Sequence, residues 1–266
     1  MELNKILHDV AERLTVSKCP ACRAVTRRSG TLCPDCLGRY RAEKERECGF
    51  CKLPAGECVC STRGLYYCRQ LGRSMHSAIF YGVGNETFMS AMSSLKYSSD
   101  RGAEKFFARE LSAALMKIMA QRGEFPEDWR VTYAPRRKSA VRKYGFDQSK
   151  GLARSVARYT GMKFEKTVSR RGGAAQKELG RDMRAENAER SFMLDTKADV
   201  SGKKYVIVDD IITSGATLRT CQRILLSNGA AAAFAVSVAK TVTRGAGYDE
   251  KTRFRKRASD VWFRSK

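Results

Sequence analysis

Two acids at the end of an apolar run, followed by small hydroxyl residues, form the run Tyr205-Val-Ile-Val-Asp-Asp-Ile-Ile-Thr-Ser-Gly-Ala-Thr217. The apolar part reads as a buried strand that delivers Asp209 and Asp210 at its carboxyl end, the end at which open α/β sheets bind ligands. Thr213, Ser214, Gly215, Ala216 and Thr217 then make a small turn that opens a helix. A helix start leaves backbone N–H groups unpaired and carries partial positive charge, so these amides, with the neighbouring hydroxyls, can cradle a phosphate. Gly215 lets the backbone approach it closely. The two carboxylates can accept hydrogen bonds from vicinal sugar hydroxyls, so the run suits a ribose bearing a phosphate. No Gly-x4-Gly-Lys-Ser/Thr loop occurs in the sequence, which argues against a P-loop ATPase or helicase.

The second chemical feature is cysteine. Eight of the ten cysteines lie between Cys19 and Cys60, Cys68 follows, and Cys221 stands far away inside a predicted helix as a small core residue. Cys19-Pro-Ala-Cys22 and Cys33-Pro-Asp-Cys36 are separated by ten residues, a spacing that presents four thiolates tetrahedrally to one zinc. The second set, Cys48-Gly-Phe-Cys51 with Cys58-Val-Cys60, is looser, and Cys68 is an alternative ligand. Four protein ligands leave no open coordination position, so one or two structural Zn2+ ions are expected rather than zinc catalysis. So short a segment lacks the apolar residues for a core of its own, and metal binding is expected to supply its folding energy.

The remaining elements must position the acids and the phosphate turn. Met75 to Tyr81 reads as a strand, Glu86 to Tyr97 and Ala103 to Gln121 as helices, and Arg130 to Ala134 as a strand stopped by Pro135. A helix from Phe146 or Asp147 to Tyr159 ends at Gly161, and a short strand follows around Phe164. Lys204 to Asp209, Thr217 to Asn228 and Ala231 to Val238 then read as strand, helix and strand. Alternation at these lengths predicts an α/β fold, a parallel sheet flanked by helices. The domain expectation is a zinc-binding module over 1–70, an α/β domain over 71–242 and a basic tail over 243–266. No stretch approaches the roughly 20 apolar residues of a membrane span. Glu2, Asp9 and Glu12 interrupt the N-terminal apolar pattern where a secretory signal would be continuous. The expected location is therefore cytoplasmic, where thiols stay reduced.

The run from Tyr205 to Thr217 resembles, at every position, the PRPP-binding motif of type I phosphoribosyltransferases. Leu95-Lys-Tyr97, Lys143-Tyr-Gly-Phe-Asp-Gln148 with Leu152-Ala153, and Gln176-Lys-Glu-Leu179 with Arg184, Asn187 and Phe192 are similar to the series found in ComF family proteins. Those proteins also join an N-terminal cysteine-rich zinc segment to a phosphoribosyltransferase-like domain. The resemblance runs from Cys19 to about Ala239. It departs where Tyr144 replaces an Arg, where Asp147 replaces an Asn, and where the Cys58-Val-Cys60 pair is tighter than usual.

The resemblance implies a type I phosphoribosyltransferase-like domain that binds PRPP with Mg2+ and transfers its phosphoribosyl group to an acceptor. The 5-phosphate would sit on Thr213 to Thr217. The ribose hydroxyls would sit on Asp209 and Asp210, which are also the candidate catalytic residues. Arg136, Arg137 and Lys96 are candidates to neutralise the pyrophosphate, and the glycine-containing stretch from Arg170 to Arg190 is a candidate lid. The two histidines, His8 and His76, lie outside every motif and offer no general base.

Charge supports a further reading. The chain carries 51 Lys and Arg against 28 Asp and Glu, a formal +23, and residues 130–190 hold 17 basic against 6 acidic residues. Single-stranded DNA is therefore a candidate partner, with Tyr144, Phe146 or Tyr159 as stacking surfaces. ComF-like proteins are linked to natural transformation, which makes competence-system proteins candidate partners too. The alternatives to an enzyme are a non-catalytic DNA-binding competence protein and a PRPP-binding sensor.

Overall fold

The computed structural model describes residues 16–49, 51–58, 75–81, 86–170 and 191–241. Residues 171–190 of the expected lid, the basic tail, His8, Cys60 and Cys68 lie outside the described residues. The strands of the main sheet are β1 (Met75–Tyr81), β2 (Trp129–Tyr133), β3 (Lys163–Phe164), β6 (Lys204–Ile212) and β7 (Ala232–Thr241). They stand in the order β1-β7-β6-β2-β3, and every neighbouring pair is parallel. The expected parallel α/β fold is therefore the fold observed. A short antiparallel pair, β4 (Val168–Arg170) with β5 (Phe192–Leu194), lies beside it.

The described helices are α1 (Pro34–Glu45), α2 (Glu86–Tyr97), α3 (Arg101–Arg122), α4 (Lys138–Tyr144), α5 (Gln148–Thr160) and α6 (Ala216–Ser227). β6 alternates between two apolar clusters. Val206 and Val208 join the one built from α2, α3 and α5, while Tyr205 and Ile207 join the one beneath α6. Helices thus cover both faces, as a parallel sheet requires. In α6, Leu218, Cys221 and Leu225 form its buried stripe, which places Cys221 in the core as expected.

The strand order fixes where a ligand can enter. After β2 the chain passes through α4 and α5 to β3 on one side, whereas after β6 it passes through α6 to β7 on the other. The connections diverge between β2 and β6, and such a switch point leaves a crevice outside the strand carboxyl ends. Asp209 and Asp210 lie at the end of β6, and Arg136 follows the end of β2.

The cysteine segment does not stand apart from this core. Cys19, Ala21, Leu32, Cys36 and Tyr40 belong to the same apolar cluster as Phe88, Phe106 and Phe107 of α2 and α3. Tyr40 meets Phe106 edge to face with ring centroids 5.0 Å apart. Ser90 and Ser94 of α2 donate to the carbonyls of Ala21 (2.7 Å) and Pro20 (3.3 Å). The segment, short of apolar residues of its own, borrows its core from the helices.

Candidate functional site

Asp147 sets the geometry of the crevice. As N-cap of α5 it accepts a hydrogen bond from the Lys150 amide at 3.2 Å, and its other oxygen accepts from the Arg136 amide at 2.9 Å. One carboxylate thereby joins the exit from β2 to the start of α5. Aspartate caps a helix as well as asparagine does, so the departure from the family pattern at this position keeps the structural role.

With α5 so placed, its first turn meets the paired acids. Ser149 Oγ donates to Asp209 Oδ1 at 2.9 Å, and the Asp210 amide donates to the same oxygen at 2.9 Å. Gln148 Nε2 donates to Asp210 Oδ2 at 3.0 Å. Gln148 is only 9% exposed, and its Oε1 is buried without a hydrogen-bond partner among the described residues. An orphaned acceptor there suits a donor supplied by a ligand. Lys96 Nζ reaches Asp210 Oδ2 at 3.5 Å. Arg136 Nη1 donates to the Lys96 carbonyl at 3.1 Å, and its guanidinium lies over Tyr144 and Phe146 at 4.6 and 5.8 Å. Asp209, Asp210, Lys96 and Arg136 are thus brought to one crevice. Arg137 lies at the N-cap of α4, close enough to Arg170 to depress that guanidinium further beyond the effect of burial.

Electrostatics separates the groups. Burial pushes the Asp209 carboxyl up to about 8, with Asp210 beside it adding to the shift against the Asp210 amide and Ser149 bonds. Burial works against the Lys96 ammonium, but Asp210, Tyr81 and Tyr97 more than offset it and raise its pKa. The folded chain therefore holds a proton on Asp209 that the unfolded chain, with a carboxyl near 4, has released. Stability then falls as pH rises from about 4 to about 8. Asp209→Asn is accordingly expected to raise the melting temperature at pH 8 and to change it little at pH 4. An unchanged or lower melting temperature at pH 8 would show that Asp209 is not held protonated by the fold.

The phosphate turn differs from expectation in its boundary. Helix α6 begins at Ala216 with Gly215 as N-cap, at φ 73° in the left-handed region that glycine enters without strain. Ser214 Oγ accepts from the Ala216 amide at 3.3 Å. The Thr213 carbonyl accepts from Thr241 Oγ1 at 3.2 Å.

The cysteines gather in two places. The sulfurs of Cys19, Cys22, Cys33 and Cys36 lie within 4.8 Å of one another, as do those of Cys48, Cys51 and Cys58. Cys22 and Cys33 sulfurs are 3.5 Å apart, near the edge of about 3.8 Å that a tetrahedron with roughly 2.3 Å metal–sulfur bonds requires. Burial raises the Cys19 thiol, but amides of Cys22, Cys33 and Ala21 outweigh it and bring its pKa to about 7, whereas burial first and then the Cys33 and Cys22 thiols push Cys36 well up. The donor sets fit zinc. The Cys48-x2-Cys51 half of the second cluster repeats the first in backbone. Arg23 and Lys52, each following a Cys-x2-Cys pair, have φ 66° and 60°. Each donates its amide back to the first cysteine's carbonyl, at 3.0 Å to Cys19 and 2.9 Å to Cys48. Bridges Lys18↔Val25 and Glu47↔Pro54 close both turns.

Sequence reading missed Ser149 and Gln148 as partners of the acids, and the Asp147 tie between β2 and α5. An aspartate just before a helix was a readable cap signal, but its second bond to Arg136 depends on the sheet order. His76 is half-buried, and its pKa is pushed down to about 4, by loss of solvent first and then by Lys240. A neutral imidazole in that setting suits a structural role.

A family model described as phosphoribosyl transferase domain matches residues 145–265. The chain is 27% identical over 219 residues to DNA utilization protein YhgH of Escherichia coli K12, covering 80% of this chain and 86% of that one. It is 26% identical over 199 residues to competence protein ComFC of Streptococcus pneumoniae R6, covering 75% and 83%. Adenine phosphoribosyltransferase of Saccharomyces cerevisiae superposes on 51% of this chain and 68% of its own, at 18% identity and TM-score 0.33. The chain thus resembles ComF-like proteins over most of its length, and its C-terminal part resembles a phosphoribosyl transferase domain. No described helix is long and apolar enough to cross a membrane.

Proposed function

We propose that the protein binds PRPP with Mg2+ in the crevice between β2 and β6 and transfers its phosphoribosyl group to an acceptor in the handling of DNA. The observation that carries this reading is the meeting of two carboxylates and two cations at the switch point, one turn of chain from a helix N-terminus. Asp209 and Asp210 accept from the ribose hydroxyls, and the orphaned Gln148 Oε1 is a third acceptor beside them. The amides opening α6, with Thr213, Ser214 and Thr217, take the 5-phosphate. Lys96, Arg136 and Arg137 face the pyrophosphate. Mg2+ arriving with PRPP would be held near the Asp209 and Asp210 carboxylates and would offset the charge of the leaving pyrophosphate.

Transfer breaks the bond from the anomeric carbon to the pyrophosphate oxygen. Its electron pair leaves with the pyrophosphate, and a lone pair of the acceptor forms the new bond. The residues contribute chiefly position and charge stabilisation of the leaving group. Zn2+ in the cysteine clusters is structural. The organisation that goes with this reading is a zinc module over 1–70, the transferase-like domain over 71–242 and a basic tail over 243–266, working in the cytoplasm. Calorimetric titration of zinc-loaded protein with Mg-PRPP is expected to give saturable binding, and its absence in folded protein sinks the reading.

A second reading, binding of single-stranded DNA, has its own support. Arg136, Arg137, Lys138, Arg142 and Lys143 lie on or beside α4. There Tyr97, 46% exposed, meets Tyr144 with ring centroids 5.2 Å apart, and Lys143 lies 5.2 Å from the Tyr144 ring. Cations around an accessible aromatic pair suit a phosphate backbone with stacked bases. DNA affinity is expected to fall steeply with added salt, with a log–log slope of about −0.7 per phosphate contacted. A flat response excludes this track.

A further inference from the structure

Strand β7 ends between the second cysteine cluster and the phosphate turn. Lys240, its penultimate residue, is 2% exposed, an uncommon place for an ammonium group. Its Nζ donates to the carbonyl of Cys58 and stands 5.5 Å from the ring of Phe80. Phe80 packs with Cys48, Ala55 and Cys58 in a small apolar cluster of their own. The backbone of Lys240 lies in register with Ile212, the last residue of β6. Thr241 follows, and its hydroxyl reaches the carbonyls of Ile212 at 3.5 Å and Thr213 at 3.2 Å. Two consecutive residues therefore connect a cysteine of the cluster to the first residue of the phosphate turn.

We infer that Lys240 and Thr241 are positioning residues that couple the state of the Cys48, Cys51 and Cys58 cluster to the geometry of the Thr213–Thr217 turn. A zinc ion held by thiolates leaves the cluster net negative, and a buried ammonium is the complement to that charge. A filled cluster fixes the loop that carries the Cys58 carbonyl. That carbonyl fixes Lys240 and the end of β7, and Thr241 holds the Thr213 carbonyl so that the turn is set before a phosphate arrives. Neither residue touches the phosphate. Their effect on binding is preorganisation, and this part of the inference rests on the PRPP reading.

The test uses full-length, zinc-loaded protein, with two readouts. Backbone amide NMR signals of residues 212–217 report the turn without any ligand, and calorimetry reports Mg-PRPP affinity. Lys240→Met, similar in length but uncharged, is expected to release zinc from the second cluster faster and to shift those amide signals. Thr241→Val is expected to leave the zinc content intact, shift the same signals and raise the Kd for PRPP up to about tenfold, the scale of one hydrogen bond. Thr241→Ser is expected to restore both. Emptying the cluster by Cys48→Ser with Cys51→Ser in the Thr241→Val background is expected to add little to the loss, because both act through one link. Amide signals unmoved by Lys240→Met and by an emptied cluster overturn the coupling even where PRPP binds. Signals that move in a wild-type background that does not bind PRPP uphold the coupling and count against the proposed function instead.

Discussion

Replacing Asp209 and Asp210 together by asparagine is expected to weaken Mg-PRPP binding by at least about 100-fold while the protein stays folded. A hydrogen bond to a charged acceptor contributes about 1.5–3 kcal/mol, so two such bonds lost together correspond to roughly 10²- to 10⁴-fold in Kd. Asparagine preserves the shape of each side chain and keeps one oxygen for Ser149 Oγ and Gln148 Nε2. It also removes the charge that burial disfavours at Asp209, and a melting curve of the variant checks that it stays folded. Lys96 would lose its ion-pair partner, which adds to the effect if Lys96 also serves the pyrophosphate. Calorimetry above pH 8, where Asp209 is mostly ionised, gives the cleanest measurement. Affinity within a few fold of wild type would mean that the acids do not hold the sugar. Loss of single-stranded DNA binding in the same variant would mean that the two proposed ligands share one site.

The legible parts of this site were those encoded locally. Tyr205 to Asp210 announces a buried strand ending in acids because both the apolar run and its terminus lie in contiguous residues. Likewise Cys19, Cys22, Cys33 and Cys36 announce a metal site because ligand spacing is a local property of the chain. The partners of the acids were not legible in the same way. Ser149 stands 60 residues from Asp209 in sequence, and Gln148 stands 62 from Asp210. Only the placement of β6 between β2 and β7 brings the start of α5 over the acids. The shift from Thr217 to Ala216 at the start of α6 has a different origin, since Gly215 takes the left-handed conformation and becomes the cap itself. Helices α1 and α4 escaped a sequence reading because neither has an apolar stripe of its own. α1 is carried on the shared cluster through Cys36 and Tyr40, and the seven residues of α4 are closed by Gly145 at φ 78°.

Cys19→Ser with Cys36→Ser is expected to remove one zinc ion per chain and to detach residues 16–45 from the α2–α3 face. Apparent zinc-binding energies of about 10–16 kcal/mol in sites of this class exceed what Ala21, Leu32 and Tyr40 contribute by burial, at roughly 1.5–3 kcal/mol for each large side chain. The borrowed core therefore orients the segment but does not replace its metal. Limited proteolysis is expected to cut the variant within 16–45 while the sheet survives, because β2, β6 and β7 are buried by α3, α5 and α6 independently of the cysteines. The consequence extends to the crevice. Ser90 and Ser94, which bond the Ala21 and Pro20 carbonyls, lie on the helix whose last turn carries Lys96. Freed of those contacts, α2 holds Lys96 less firmly against Asp210, and weaker Mg-PRPP binding is expected alongside the proteolytic cut. A metal-free variant that resists proteolysis and keeps its melting temperature would show instead that apolar packing alone holds the segment, and the four cysteines would then need another chemistry.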